Sequence, residues 1–198
     1  MISEATFVRS AASAEDLPSD GLAEIALVGR SNVGKSSLIN ALVGQRIART
    51  SAAPGKTRLA NLYRVTRGRG RPLYLVDLPG YGYARGGRES AEAFEKLTHE
   101  FFAVRGVHLQ PDPAALLLVD ARHPGLSADV DAWRWLRQAV DRSAIVATKI
   151  DKLARGERIR ALREFESVFD DPVLPVSAVT GEGLDELWKL IDRLKTSG

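Results

Sequence analysis

From Ala23 onward the chain alternates short apolar runs with longer stretches whose apolar residues recur every three or four positions. The short runs predict strands over 24–28, 59–66, 73–77, 114–120, 143–148 and 173–176. The longer periodicity predicts helices over 36–43, 89–104, 127–140, 154–168 and 183–195. Runs 114–120 and 143–148 are apolar without alternation, as expected of central parallel strands covered on both faces. Runs 59–66 and 73–77 flank Arg67-Gly-Arg-Gly-Arg-Pro72, which reads as an antiparallel hairpin with a basic tip. The expected architecture is a three-layer α/β fold: a mostly parallel six-stranded sheet with one antiparallel edge strand and helices on both faces. Sites in such folds gather at the carboxyl ends of the strands. Residues 1–22 show no sustained periodicity and end in the turn-rich Asp16-Leu-Pro-Ser-Asp-Gly21, so they read as an arm or linker ahead of one domain, 23–198. Within them, Thr6–Arg9 is a candidate for a short strand or for packing at the domain edge.

Composition narrows the picture modestly. A chain of 198 residues that is 44% hydrophobic can bury one full core. No apolar stretch reaches the ~18 residues that span a bilayer, so no membrane partner is expected. The first residues lack a basic segment followed by an apolar one, so no signal peptide is expected. Cysteine is absent, which excludes disulfides and thiolate metal sites and suits a cytoplasmic protein. Nothing demands oligomerisation, and a monomer is the default.

Charge adds more. Between Gln45 and Arg88 lie ten basic residues and the single acid Asp77, whereas the rest of the chain holds 18 basic and 24 acidic residues. Such segregation fits either a solvated basic face or a phosphate-rich partner, most simply RNA.

The chemistry lies at the ends of the predicted strands. Gly29 to Ser36 read GRSNVGKS, a phosphate-binding loop between a strand and a helix. In that pattern Lys35 reaches the β- and γ-phosphates, and the Ser36 hydroxyl is offered to Mg²⁺. Gly29 and Gly34 allow the turn and the close approach of phosphate. Asp77-Leu78-Pro79-Gly80 ends a strand 42 residues after Lys35. Its carboxylate suits Mg²⁺, and the Gly80 N–H can meet a γ-phosphate. Thr148-Lys149-Ile150-Asp151 closes another strand. The Asp151 carboxylate can accept the two donors of a guanine edge, which adenine lacks, and this disfavours a kinase or ATPase. The Lys149 stem can lie against the base. A backbone N–H at Ser177-Ala178 can reach the guanine carbonyl. Between the first loop and the next strand, Thr57 is the choice for a hydroxyl to Mg²⁺, with Thr50 its competitor.

Together these segments resemble the P-loop GTPases, and more closely the EngB group within the Era- and TrmE-like GTPases. The narrower resemblance rests on GRSNVGKSSLINAL (29–42), ARTSAAPGKTR (48–58), VDLPGYGYA (76–84), RHP (122–124), TKID (148–151) and SAVTGEG (177–183). It implies a Ras-like G domain binding GTP or GDP with Mg²⁺. It also implies a role in assembly of the large ribosomal subunit, with precursor rRNA and ribosomal proteins as partners through the basic 45–88 region, and a link to cell division and septation. Implied nucleotide contacts are Gly29, Arg30, Ser31, Asn32, Val33, Gly34, Lys35, Ser36 and Ser37, then Gly55, Lys56, Thr57, Arg58 and Leu59. Asp77, Leu78, Pro79, Gly80, Thr148, Lys149, Ile150, Asp151, Val176, Ser177 and Ala178 complete the set. Ser36, Thr57 and Asp77 are the implied Mg²⁺ ligands, and Lys35, Thr57, Gly80 and Asn32 the implied catalytic group.

Two positions depart from the wider GTPase pattern. Thr148 stands where most GTPases have Asn, as it does in EngB-like sequences. Tyr81 stands where Ras-like enzymes place a water-orienting Gln, which points to slow intrinsic hydrolysis. Asn32 occupies a place at which related GTPases use Asn to help bind K⁺. A reading from a different class is an RNA-binding assembly module with GTP as a structural ligand. Other residues invite plainer readings. His99, His108 and His123 lack metal-ligand spacing, Trp133 and Trp135 cannot share one helix face, and Asp129 and Asp131 read as a solvated helix start.

Overall fold

A computed structural model describes residues 2–49, 59–81, 98–103 and 112–196. Within these residues seven strands form one sheet: β1 (Ile2–Ala11), β2 (Ala23–Gly29), β3 (Ala60–Arg67), β4 (Leu73–Asp77), β5 (Ala114–Asp120), β6 (Ser143–Thr148) and β7 (Val173–Pro175). Four complete helices are α1 (Lys35–Val43), α2 (Ser127–Ala139), α3 (Arg155–Phe169) and α4 (Leu184–Thr196), and residues 98–103 are also helical. Most of the expected helix over 89–104 lies outside the described residues.

The strand order is β1-β3-β4-β2-β5-β6-β7. β4, β2, β5, β6 and β7 run parallel, and β3 runs antiparallel to β4, as the hairpin signal requires. The difference from expectation is at the edge. β1 pairs antiparallel along the whole of β3, so the sheet has seven strands rather than six and β3 is internal. The pairing extends the candidate strand at 6–9 to ten residues and builds the first part of the arm into the domain.

Helix placement follows from the two apolar faces of the parallel strands. On one face Ala26, Val28, Val76, Leu117 and Val119 meet Trp133 and Leu136 of α2, Phe165 and Phe169 of α3, and Phe101 and Phe102. On the other, Ile25, Leu27, Leu75, Leu116, Leu118 and Val146 meet Leu38, Ile39 and Leu42 of α1 and Leu187, Trp188 and Ile191 of α4. Successive residues of one strand thus serve opposite layers, which is why these runs show no polar alternation. Trp133 is the core member of the tryptophan pair; Trp135 is partly buried and its ring lies tilted against that of the exposed His99, with centroids 4.5 Å apart.

The 67–72 turn precedes β4 and therefore lies at the amino ends of the parallel strands, opposite Gly29 and Asp77. The basic tip is not beside the phosphate loop. Arg67 pairs with Asp192 at 2.6 Å and lies over the Trp188 ring, while Arg69 and Arg71 remain exposed. Phe165 is fully buried between α3 and the sheet. Phe165→Ala is expected to cost about 3–5 kcal/mol of folding free energy, measurable by urea denaturation.

Candidate nucleotide site

Four strands deliver the site. β2 ends at Gly29, β4 at Asp77, β5 at Asp120 and β6 at Thr148, all at the same edge of the parallel sheet. The loop after β2 enters α1 through Gly34, whose φ of 112° is strained for any residue with a side chain. The first helical bond of α1 runs from Leu38 N–H to the Gly34 carbonyl, leaving the N–H groups of Lys35, Ser36 and Ser37 at the open end of the helix. An anion is favoured there.

Lys35 folds back over the loop, its Nζ donating to the Gly29 carbonyl at 3.2 Å, and is 8% exposed. Burial lowers its pKa, an effect the nearby Asp77 charge opposes. Asp77 is 3% exposed, and burial raises its pKa against the pull of Lys35 and Ser36. Ser36 Oγ donates to Asp77 Oδ2 at 2.7 Å. A buried ammonium and a buried carboxylate, each penalised by desolvation, are what a polyphosphate and a divalent cation would relieve. The donor set therefore fits Mg²⁺ held by Ser36 and Asp77. Thr57, the third expected ligand, lies outside the described residues, as do Thr50, Gly55, Lys56 and Arg58; Leu59 is exposed just before β3.

Leu78 and Pro79 are buried, and Gly80 lies directly on the phosphate loop. A Cβ there would come within 2.7 Å of the Ser31 nitrogen, so only glycine allows this approach. Ser31 N–H donates to the Tyr81 carbonyl at 3.0 Å, and Arg30 and Tyr81 form an isolated parallel bridge. Tyr81 is buried and its hydroxyl donates to Asp129 Oδ1 at 2.8 Å.

At the other end, Thr148 Oγ1 lies within hydrogen-bond reach of the Val33 and Val119 carbonyls, at 2.7 and 3.1 Å. Lys149 takes a left-handed φ of 61° and donates from Nζ to the Asn32 carbonyl at 2.6 Å and to Asp120 Oδ2 at 2.8 Å. Asp120 is nearly buried, which alone would raise its pKa. Hydrogen bonds from Arg122 and Lys149 outweigh that and hold it well below the usual carboxylate range. Ile150 is buried, and Ile150 N–H donates to the Val176 carbonyl. Asp151 Oδ1 accepts from Ser177 Oγ at 2.7 Å and Oδ2 pairs with Lys152 at 3.2 Å. Burial would raise the Asp151 pKa, but these partners lower it on balance, keeping an ionised acceptor at the base-reading position.

The arrangement brings together the phosphate, carboxylate and base-reading segments, and alters two expectations. Ser177 N–H is taken by the Glu182 carbonyl at 2.9 Å, so Ser177 serves through its hydroxyl, and Ala178 is left as the backbone donor for a guanine carbonyl. Asp129 is not a solvated helix start: it is 1% exposed and binds Tyr81 and Arg30. Asp131, 70% exposed beside Arg134, does behave as a surface residue. Sequence reasoning also missed Asp120, although its place at the end of a buried strand was a usable signal. Among the described residues no group of three or more His, Cys, Asp or Glu could hold a metal. None of their helices is long and apolar enough to cross a membrane.

Asp120→Asn removes the charge that Lys149 and Arg122 share. It is expected to weaken GDP binding by about 1–2 kcal/mol, roughly five- to thirty-fold, in a fluorescent-nucleotide titration. Asp131→Asn should leave affinity unchanged.

Comparison with known proteins agrees with this geometry. The family described as 50S ribosome-binding GTPase matches residues 24–149. A probable GTP-binding protein EngB from Pelotomaculum thermopropionicum is 40% identical, over 97% of this chain and 96% of its own. One from Chlorobaculum parvum is 42% identical, over 96% and 97% respectively. A crystal structure of a probable EngB superposes with a TM-score of 0.64 at 22% identity, covering 87% of this chain and 98% of that one. Era in complex with MgGDPNP and a 16S ribosomal RNA fragment gives a TM-score of 0.74 at 22% identity, covering 90% of this chain. At that identity the likeness speaks for the fold alone, and the chain spans 58% of the Era chain. With a family match over most of its length and EngB relatives aligned almost end to end, this chain belongs to the 50S ribosome-binding GTPases and, within them, to the EngB GTP-binding proteins.

Proposed function

We propose that this GTPase is a slow, Mg²⁺-dependent switch acting in the assembly of the large ribosomal subunit, in the cytoplasm, and needed for normal cell division and septation. The observation that carries the nucleotide half is the Asp151 carboxylate, kept ionised by Ser177 and Lys152 at the same sheet edge as the phosphate loop. Asp151 reads the guanine edge, the first-turn N–H groups of α1 and Lys35 hold the phosphates, and Ser36 and Asp77 hold Mg²⁺. Mg²⁺ held by Ser36 and Asp77 would supply positive charge to offset the charge developing on the phosphates. The ribosomal half is supported by the family's description as 50S-binding and by the exposed Arg46, Arg49, Arg69 and Arg71. Precursor rRNA and ribosomal proteins are the partners we assign to this region, met by a monomeric chain.

A second reading has one observation in its favour. Arg69 and Arg71 stand at the end of the sheet away from the phosphate loop, as they would in an RNA-binding module that uses GTP mainly as a structural ligand. The deciding experiment measures binding to large-subunit precursors with GTP, GDP and no nucleotide, across a salt series. The switch requires affinity to depend on the nucleotide; equal affinities favour the structural-ligand reading. In either case a steep salt slope is expected where arginines meet phosphate.

Slow turnover follows from Tyr81, whose buried hydroxyl is committed to Asp129 and cannot align a water. Single-turnover hydrolysis is expected at or below the ~10⁻⁴ to 10⁻³ s⁻¹ scale of unstimulated Ras; a rate of about 1 s⁻¹ refutes it. Asn32, exposed and with its carbonyl held by Lys149, is our candidate to help bind K⁺. The same assay should run faster in K⁺ than in Na⁺ at equal ionic strength, and equal rates would remove K⁺ from the mechanism.

A further inference from the structure

Asp129 is a carboxylate in the first turn of α2, yet it does not cap that helix. Its Oδ1 accepts the Tyr81 hydroxyl at 2.8 Å and Arg30 Nε at 3.1 Å, and its Oδ2 lies 3.3 Å from the same nitrogen. Arg30 is the second residue of the phosphate loop, and Tyr81 follows the glycine that meets the γ-phosphate. One buried side chain on a third element thus grips both segments. Burial of an ion is costly unless it is paired and hydrogen-bonded, so Asp129 strongly favours the arrangement that brings Arg30 and Tyr81 to it.

That arrangement has a direct effect on the loop. Where Arg30 and Tyr81 bridge, Ser31 N–H donates to the Tyr81 carbonyl, and Ser31 Oγ lies 3.4 Å from the Gly80 carbonyl. Ser31 touches Gly80, so it belongs to the γ-phosphate end of the loop, while the first-turn N–H groups of α1 serve the other phosphates. Two backbone carbonyls therefore face the donors a γ-phosphate would use, and a β-phosphate makes no demand on them.

We propose that Asp129 is a positioning residue for the nucleotide switch: by holding Tyr81 on the phosphate loop it keeps the Ser31 donor occupied, and so biases the chain toward GDP over GTP. The proposal rests on reading Gly80 as the γ-phosphate contact. GTP must displace the Tyr81 carbonyl from Ser31, and the Asp129–Tyr81 bond resists that displacement. GDP leaves it intact.

The test compares wild type with Tyr81→Phe and Asp129→Asn for binding of GDP and of a non-hydrolysable GTP analogue. Tyr81→Phe keeps the buried ring and deletes only the hydroxyl, so it decides the matter should Asp129→Asn fail to fold. The expected result is a rise of about five-fold in the analogue-to-GDP affinity ratio, the worth of one hydrogen bond, with GDP affinity changed less than two-fold. A merely structural role would weaken both nucleotides alike. An unchanged or lowered ratio, or a parallel loss of both nucleotides, overturns the proposal. Gly80→Ala separates this failure from that of the reading beneath it. If Gly80→Ala selectively weakens the analogue while Tyr81→Phe leaves the ratio unchanged, the switch stands without the latch. If the wild type binds guanine nucleotides no better than ATP, the GTP reading itself fails.

Discussion

A loop that turns its N–H groups toward an anion must turn its carbonyls elsewhere, and the rest of the site depends on that constraint. In this chain the outward carbonyls are held one by one. Lys35 takes that of Gly29, Val33 N–H that of Arg30, Lys149 that of Asn32, Thr148 that of Val33 and Leu38 N–H that of Gly34. Two of the five partners, the last residue of β6 and the one that follows it, are more than a hundred residues away. The phosphate loop is therefore shaped by the base-reading segment, and neither is complete without the other.

This explains the choice of Thr at 148. A short hydroxyl between the Val33 and Val119 carbonyls ties the loop to β5 and β6 without needing to reach the base. Lys149 extends the tie outward, because its ammonium is shared between the Asn32 carbonyl and the Asp120 carboxylate. Asp120 is in turn fixed by Arg122, so its charge stays in place over the whole neutral range. Contacts of less than 3 Å thus join the base-reading segment to the phosphate loop.

Most of the fold and much of the site could be read from the chain because both are written locally. Strands β4, β5 and β6 lie where their apolar runs place them, and the three motif segments sit at the ends of β2, β4 and β6. What escaped was set by distant partners. β1 is legible only as the candidate at 6–9, because its apolar residues do not alternate with burial: Ala5 and Ala11 are buried while Phe7 and Val8 are exposed, and the β3 ladder holds the strand in place. Asp129 carries the ordinary signature of an acid at a helix start, and its partners are 48 and 99 residues away in sequence. The Ser177 hydroxyl on Asp151 could not be inferred from a dipeptide, since it joins the ends of two parallel strands. The 67–72 tip is a turn, as its Gly- and Pro-containing sequence predicts, but its distance from the site follows only from the direction of β3.

The pairing of β1 with β3 also bears on the order in which the molecule can assemble as it is synthesised. The chain makes β1 first, yet its partner begins 49 residues after β1 ends, beyond the whole phosphate loop and α1. Until β3 has emerged, the first strand has no ladder to join and too little apolar surface to collapse alone. Its docking then pins β3, the strand that leads through the 67–72 turn into β4. That edge can thus close before β4, β5 and β6 emerge, so the frame of the sheet precedes the strand ends that bring Asp77, Asp120 and Thr148 to the site.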